Sequence, residues 1–234
     1  MPELEIIHEN NAYIVINKMA GLISEKSPYE DLTAEDQVTK HLLKNKQIPY
    51  IGVIHRLDRV TSGVLIFAKK KSVLVAFNDL FSKRKVQKTY LAIVKNKPPK
   101  NKETLTNFLV KNNLDKRADI IQSKTKDSQE GTLSYRVIDQ NDFGYLLELK
   151  PTTGRFHQIR AQLAHIDLPI IGDEKYGSDQ EYFPLTIAIH AWKLTYQIPD
   201  SQELQTFEAP LPKNENEVTV PILGIAPERC LIED

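Results

Sequence analysis

Cysteine is almost missing from this sequence. Cys230 is the only one in 234 residues, which excludes an intrachain disulfide and leaves no cysteine cluster to build a zinc site. A chain so poor in cysteine is expected in a reducing compartment, and a lone thiol almost at the C-terminus receives no role. Long apolar runs are also absent: stretches such as residues 64–68 fall far short of the roughly 20 residues that span a bilayer, so a membrane role is not expected. The opening MPELEIIHENNAYIVINK places acidic residues where a secretory signal would carry basic ones. Net charge is missing too, with 31 Lys and Arg against 31 Asp and Glu, so no uniform positive field can hold a polyanion. With 41% hydrophobic and 26% charged residues, the composition is that of an ordinary folded protein of the cytoplasm.

The zero average conceals a segregation. Residues 69–102 hold eleven Lys or Arg against the single acid Asp79, a net charge of +10. The first 36 residues carry eight acids against Lys18 and Lys26, and residues 199–234 carry eight against Lys213 and Arg229, so each end is near −6. A charge run can be no more than a solvated face. A basic middle between acidic ends can also neutralise phosphates along one surface.

Local patterns predict a chain richer in strands than helices. Residues 4–7 and 12–17 read as short strands separated by the turn-forming Asn10 and Asn11. Residues 34–45 suit a helix capped by Thr33, with Val38, Leu42 and Leu43 inward and acids in its first turn. The continuous apolar run over 63–68 predicts a strand buried on both faces. Val73, Ala76, Phe77, Leu80 and Phe81 recur at helical spacing behind Ser72 as N-cap. Alternation over 87–95 predicts a central strand, with further strands at 104–110, 132–138, 144–150, 185–198 and near 203–208. Residues 111–127 read as a long polar loop. A helix containing Phe156, Ile159 and Leu163, capped by Thr152 or Thr153, carries Arg160 inside its apolar stripe. A single composite α+β domain over residues 1–234 is the economical reading.

The segment HRLDRVTSG (55–63) places Asp58 between Arg56 and Arg59, just before the buried strand. The plain reading is a turn aspartate; the functional one is a carboxylate held at the edge of the core and available as base or nucleophile. Arg160 in an apolar stripe needs an anion, and Asp58 is one candidate. Tyr90, two residues after Lys88 in QKTYLAIVK, is either sheet surface or a ring on which a base could stack.

These motifs together resemble the RluA family of RNA pseudouridine synthases. HRLDRVTSGVLIFAK (55–69) is similar to the family signature, KTYLAIV (88–94) to its second motif, and LKPTTGRFHQIRAQLAHIDLPIIGDEKYG (149–177) to its third. IAIHAWKLTY with FEAPLP (187–196, 207–212) and the opening IIHENNAYIVINKMAGLIS (6–24) extend the likeness over nearly the whole chain. The resemblance implies an α+β, pseudouridine-synthase-like fold: a long mixed, mainly antiparallel sheet forming two fused lobes with flanking helices and a central cleft. It implies isomerisation of uridine in ribosomal or transfer RNA without cofactor or metal, by a cytoplasmic monomer that needs no obligate protein partner.

Residue by residue, the resemblance makes Asp58 the essential carboxylate, Tyr90 the base-stacking tyrosine and Arg160 the arginine that pairs with the carboxylate. Arg56 corresponds to the side chain that helps displace the target base, and His55, Thr61, Lys88 and Arg155 fall among substrate-contacting positions. The family often adds an N-terminal S4-type module; here the likeness starts at residue 6, so the catalytic domain is expected to find RNA alone, with the 69–102 segment as candidate phosphate contacts. Departures from the pattern are Met19 in place of Pro, Gln162 in place of His, Asp167 in place of Gly, and Ile198-Pro199 in place of His-Pro. Two other readings are a catalytically idle RNA-binding or RNA-chaperone protein on the same fold, which predicts loss of Asp58, Tyr90 or Arg160, and a hydrolase of free nucleosides, which has no use for the basic segment.

Overall fold

The computed structural model describes residues 4–30, 32–44, 50–198 and 203–212; Cys230 and most of the acidic C-terminal stretch lie outside them. The chain forms two compact units. The first comprises the sequence up to Lys88 together with Pro184–Thr186 and His190–Pro210; the second is built mainly from Thr89–Phe183 with Ile187–Ile189.

In the first unit the strands β1 (Ile6–Glu9) and β2 (Tyr13–Lys18) form the predicted hairpin. Its turn closes because the Asn10 carboxamide oxygen accepts from the amides of both Ala12 and Tyr13, the turn chemistry for which Asn is suited. Helix α1 (Ala34–Leu43) begins with a reciprocal capping box: Thr33 accepts from the Asp36 amide, and Asp36 accepts from the Thr33 amide. Two otherwise orphaned donors are satisfied, worth about 1 kcal/mol. Its buried face is Ala34, Val38 and Leu42, whereas Leu43, expected inside, is exposed.

Strand β4 (Ser62–Ala68) is buried at all seven positions. It pairs antiparallel with β2 and with the short β3 (Gly52–Val53), and parallel with β10 (Ile189–Gln197) at Ser62 and Gly63. Strand β11 (Leu204–Glu208) completes this sheet against β10. Helix α2 (Lys71–Ser82) covers the sheet with Phe77 and Leu80, which enter a core containing Val15, Val64, Ile66, Leu194, Tyr196 and Phe207. Its N-cap is Lys70, with no side-chain bond, in place of the predicted Ser72, and Ala76 faces solvent. The apolar stripe is completed by the partly buried Val73, Leu74 and Phe81.

The second unit is an antiparallel sheet in which neighbouring strands are not all consecutive in the chain. Strand β5 (Val86–Val94), from Thr89 onward, pairs with β9 (Gly144–Pro151), which pairs with β8 (Gln129–Asn141); β8 pairs with β6 (Lys102–Asn112) and β6 with β7 (Arg117–Ile121). Strand β7 lies inside the stretch expected to be loop, which is therefore largely a hairpin arm. Helix α3 (Gln158–His165) packs Ala161 against Leu109 and Ala118.

The predicted threonine cap of α3 is not used. The N-cap is His157 in the left-handed region at φ 49°, and Phe156 stays outside the helix, exposed. Thr153 instead donates to the Gln158 carboxamide, which also accepts from the Arg155 amide and donates to the Thr132 carbonyl. This web fixes the helix entry without a cap side chain. Among the described residues no helix is long and apolar enough to cross a membrane.

Candidate active site

Asp58 lies in the first unit, on the loop between β3 and β4. The loop is pinned at successive points. The Ser24 hydroxyl donates to the Leu57 carbonyl at 2.9 Å and accepts from the Leu57 amide at 3.0 Å. The Thr61 amide returns to the Asp58 carbonyl at 3.0 Å, closing a turn over residues 58–61, and the Gly21 amide donates to the Arg59 carbonyl at 2.8 Å.

Beneath the turn, Lys18 is 1% exposed. Its Nζ donates to the carbonyls of Met19 at 2.8 Å, Leu22 at 2.6 Å and Arg59 at 3.3 Å. Three acceptors match the three N–H groups of an ammonium. Burial pushes this ammonium down to about 7, with Asp58 acting to raise it and Arg59 to lower it. The end of the signature is fixed by sterics. Gly63 has φ +115°, and a Cβ there would stand 2.2 Å from the Ala191 carbonyl oxygen. Only glycine lets the two parallel strands approach this closely.

The other residues of this segment divide by exposure. Arg56 is exposed and paired with Glu25 at 2.7 Å, a contact weak enough to exchange readily. Arg59 pairs with Glu30. Thr61 is buried. His55 accepts from the Ile66 amide at 3.4 Å, and burial with the nearby Lys88 charge pushes its imidazole down to about 3, so it is neutral. Lys88 itself is pushed below the usual lysine range by burial. Behind the turn, Ser62 and His190 share a hydrogen bond of 2.8 Å, and burial lowers His190 to about 4.

Tyr90 and Arg160 belong to the second unit. Tyr90 is half-buried on β5 opposite Leu149. Arg160, 6% exposed on α3, has the buried anion that its place in an apolar stripe demanded. Asp173 accepts from Nε and Nη2 at 2.7 Å each. Nη1 meets His157 Nε2 at 3.1 Å, His157 Nδ1 meets the Tyr176 hydroxyl at 3.1 Å, and that hydroxyl accepts from the Ala118 amide at 2.7 Å. The guanidinium carbon sits 5.0 Å from the Tyr176 ring centre. Arg155 donates from Nε to the Glu130 carbonyl at 3.0 Å.

Sequence reasoning assigned no role to Lys18 or Asp173. Lys18 was visible as a lysine in register with the inward Ile14 and Ile16 of β2. Asp173 lay in the GDEKYG stretch but 13 residues from the arginine it serves.

The basic segment is also divided. Lys70, Lys71, Lys83, Arg84 and Lys85 are exposed at the two ends of α2 in the first unit; Lys95, Lys97 and Lys100 between β5 and β6, and Lys102 at the start of β6, are exposed in the second. Lys69 is partly buried against Glu9 at 2.7 Å.

Residues 12–165 match the family described as RNA pseudouridylate synthase. The chain is 32% identical to tRNA pseudouridine synthase C of Vibrio parahaemolyticus over 219 residues, 86% of this chain and 87% of that one. It is 33% identical to ribosomal large subunit pseudouridine synthase D of Borreliella burgdorferi, over 83% of this chain and 61% of that one. Among solved structures, Human RNA Pseudouridylate Synthase Domain Containing 1 superposes with a TM-score of 0.73 at 25% identity, covering 89% of this chain and 83% of that one.

Proposed function

Because this chain belongs to the RNA pseudouridylate synthase family, in its RluA-type branch, and is an enzyme that isomerises uridine in RNA, we propose that Asp58 is its catalytic carboxylate and that its substrate is transfer or ribosomal RNA. The observation that carries the assignment is the construction of the Asp58 turn: Ser24, Lys18 and the Thr61 amide each hold a backbone atom within one residue of Asp58 or its own carbonyl. Such bracing keeps a reactive group in place during chemistry.

Isomerisation breaks the bond from uracil N1 to ribose C1′, turns the detached base and joins C5 to C1′, after which the C5 proton is lost to solvent and N1 takes one up. A carboxylate at the anomeric carbon can stabilise the developing positive charge, attack C1′ or remove the C2′ proton. Every one of these routes uses the ionised form of Asp58. Arg160 orients that carboxylate, and Tyr90 stacks on the uracil. A stacked base within a helix cannot reach such a group, so the target nucleotide is flipped out, with Arg56 exchanging Glu25 for the vacated position in the RNA. His55, Thr61, Lys88 and Arg155 serve substrate contact and the shape of the site. The exposed cations around α2 and between β5 and β6 bind phosphates. The enzyme works as a cytoplasmic monomer.

Replacing Asp58 by Ala abolishes tritium release from RNA labelled at uracil C5 while RNA binding on filters changes little. Full activity in that variant would overturn the assignment. Mapping pseudouridines in cellular RNA with and without the protein identifies which RNA class it modifies.

A further inference from the structure

Arg160 is held by more partners than a buried cation requires for neutrality. Asp173, 1% exposed, grips the Nε and Nη2 edge of the guanidinium side-on, at 2.7 Å for each bond. A guanidinium has only donors, so where Nη1 meets His157 the Nε2 atom is the acceptor. The His157 proton then sits on Nδ1 and is donated to Tyr176, whose hydroxyl oxygen also receives the Ala118 amide of β7. The Tyr176 ring lies against one face of the guanidinium. The plane of Arg160 is thus set from two edges and one face.

Asp173 is itself immobilised. Its amide donates to the Ile170 carbonyl at 2.9 Å, and its carbonyl accepts from the amides of Tyr176 at 3.0 Å and Ser178 at 3.1 Å. Well-packed apolar residues at positions 160 and 173 would hold α3 against the 170–178 loop as firmly as a buried ion pair does, or more so. What the pair adds is direction: a bidentate carboxylate fixes both the position and the rotation of the fork.

We propose that Asp173 is a positioning residue for catalysis, acting only through Arg160 by fixing the orientation of its guanidinium. This rests on the reading that Arg160 orients the catalytic carboxylate. A cation displaced by about 1 Å can cost on the order of 100-fold in rate, and loss of the Asp173 charge weakens both of the side-on bonds that fix one edge of the plane.

Four variants test the proposal: Asp173→Asn, Asp173→Glu, Arg160→Lys, and Asp173→Asn combined with Arg160→Lys. Single-turnover rates, KM for RNA and thermal unfolding are measured for each. Asp173→Asn lowers kcat by about 10- to 100-fold with KM for RNA within about twofold, and Asp173→Glu, which keeps the charge, recovers part of the loss. The double variant is no slower than Arg160→Lys alone, because Asp173 has nothing left to position.

Wild-type kcat in Asp173→Asn beside a slow Arg160→Lys would overturn the proposal alone. So would a double variant slower than Arg160→Lys by the full Asp173→Asn factor. Full activity in Arg160→Lys would overturn the underlying reading of Arg160 and the proposal with it. Should Asp173→Asn not fold, Asp173→Glu carries the test, since its extra methylene displaces the fork: a kcat-only loss supports positioning, and wild-type kcat overturns it.

Discussion

Gly63 closes the signature segment, and its replacement by alanine tests whether the backbone geometry behind the Asp58 turn is as tight as it looks. A Cβ at this position would lie 2.2 Å from the Ala191 carbonyl oxygen and 2.7 Å from both the carbonyl carbon and the amide nitrogen. The obstruction is backbone, so no side-chain rotation relieves it. Moving the atoms to an ordinary separation of about 3.4 Å means parting the two parallel strands by roughly 1 Å, in a sheet whose β4 is buried throughout.

Overpacking of this kind costs about 1–3 kcal/mol, and forcing a side chain to a φ of +115° costs about 1–3 kcal/mol more. Gly63→Ala is therefore expected to lose roughly 4 kcal/mol, which lowers the urea midpoint by about 1–2 M. Trp192, the only tryptophan, is buried next to Ala191 and reports the transition by fluorescence. Gly177 provides the control. Its φ is +89°, but nothing lies within 4 Å of an added Cβ, so Gly177→Ala costs only the conformational part, about 1–2 kcal/mol. If the two alanine variants unfold at the same urea concentration, the close approach of β4 and β10 contributes nothing and the steric account of the signature glycine is wrong.

Two other expectations concern charge. Lys18 titrates near 7 in the fold and near 10.4 when unfolded, so between these values the unfolded chain holds a proton that the folded chain has given up, and stability rises with pH. Relative to Lys18→Met, the wild type gains roughly 2 kcal/mol between pH 7 and 9 in urea titrations, and parallel curves for the two proteins would show that Lys18 does not titrate in this window. Replacing Lys83, Arg84 and Lys85 by Gln weakens RNA binding and reduces the slope of log K against log salt by roughly 0.7–0.9 for each phosphate no longer neutralised; an unchanged slope would make that cluster a solvated face.

Much of this molecule is written in short-range pattern. The β1–β2 hairpin, the capping box of α1, the buried β4 run and the apolar stripe of α2 each arise within a dozen residues, where turn chemistry and periodicity act directly. Strand β7 escaped because it is an edge strand of mixed burial that takes its structure from β6 and from the Tyr176 hydroxyl on its Ala118 amide. The start of α3 escaped because its donors are satisfied by a web reaching to Thr132.

At the site, the anomaly of Arg160 was legible but its bidentate partner Asp173 was not, because that carboxylate lies 13 residues away in a segment without a periodic signal. Two of the four departures from the family pattern have physical readings, and Pro199 lies outside the described residues. Asp167, where the family favours Gly, takes φ +59°, a conformation Asp tolerates better than most residues. Gln162, where His is common, is fully buried and donates to the carbonyls of Leu105 and Gly131 and to Asn107. The points at which the chain passes between its two units were not legible, because it leaves the first within β5 and returns near residue 184 without any marking change in composition.

The parallel pairing of Ser62 and Gly63 with His190 and Ala191 joins segments 128 residues apart in the chain, which sets an order of events during synthesis. The hairpin, α1 and the buried strand can all collapse early, yet the strand that seats the Asp58 turn lacks this neighbour until His190 and Ala191 have left the ribosome. Long-range pairing of this kind is late and slow to form. A chain that already carries the whole signature segment therefore still lacks one neighbour of the strand that seats it.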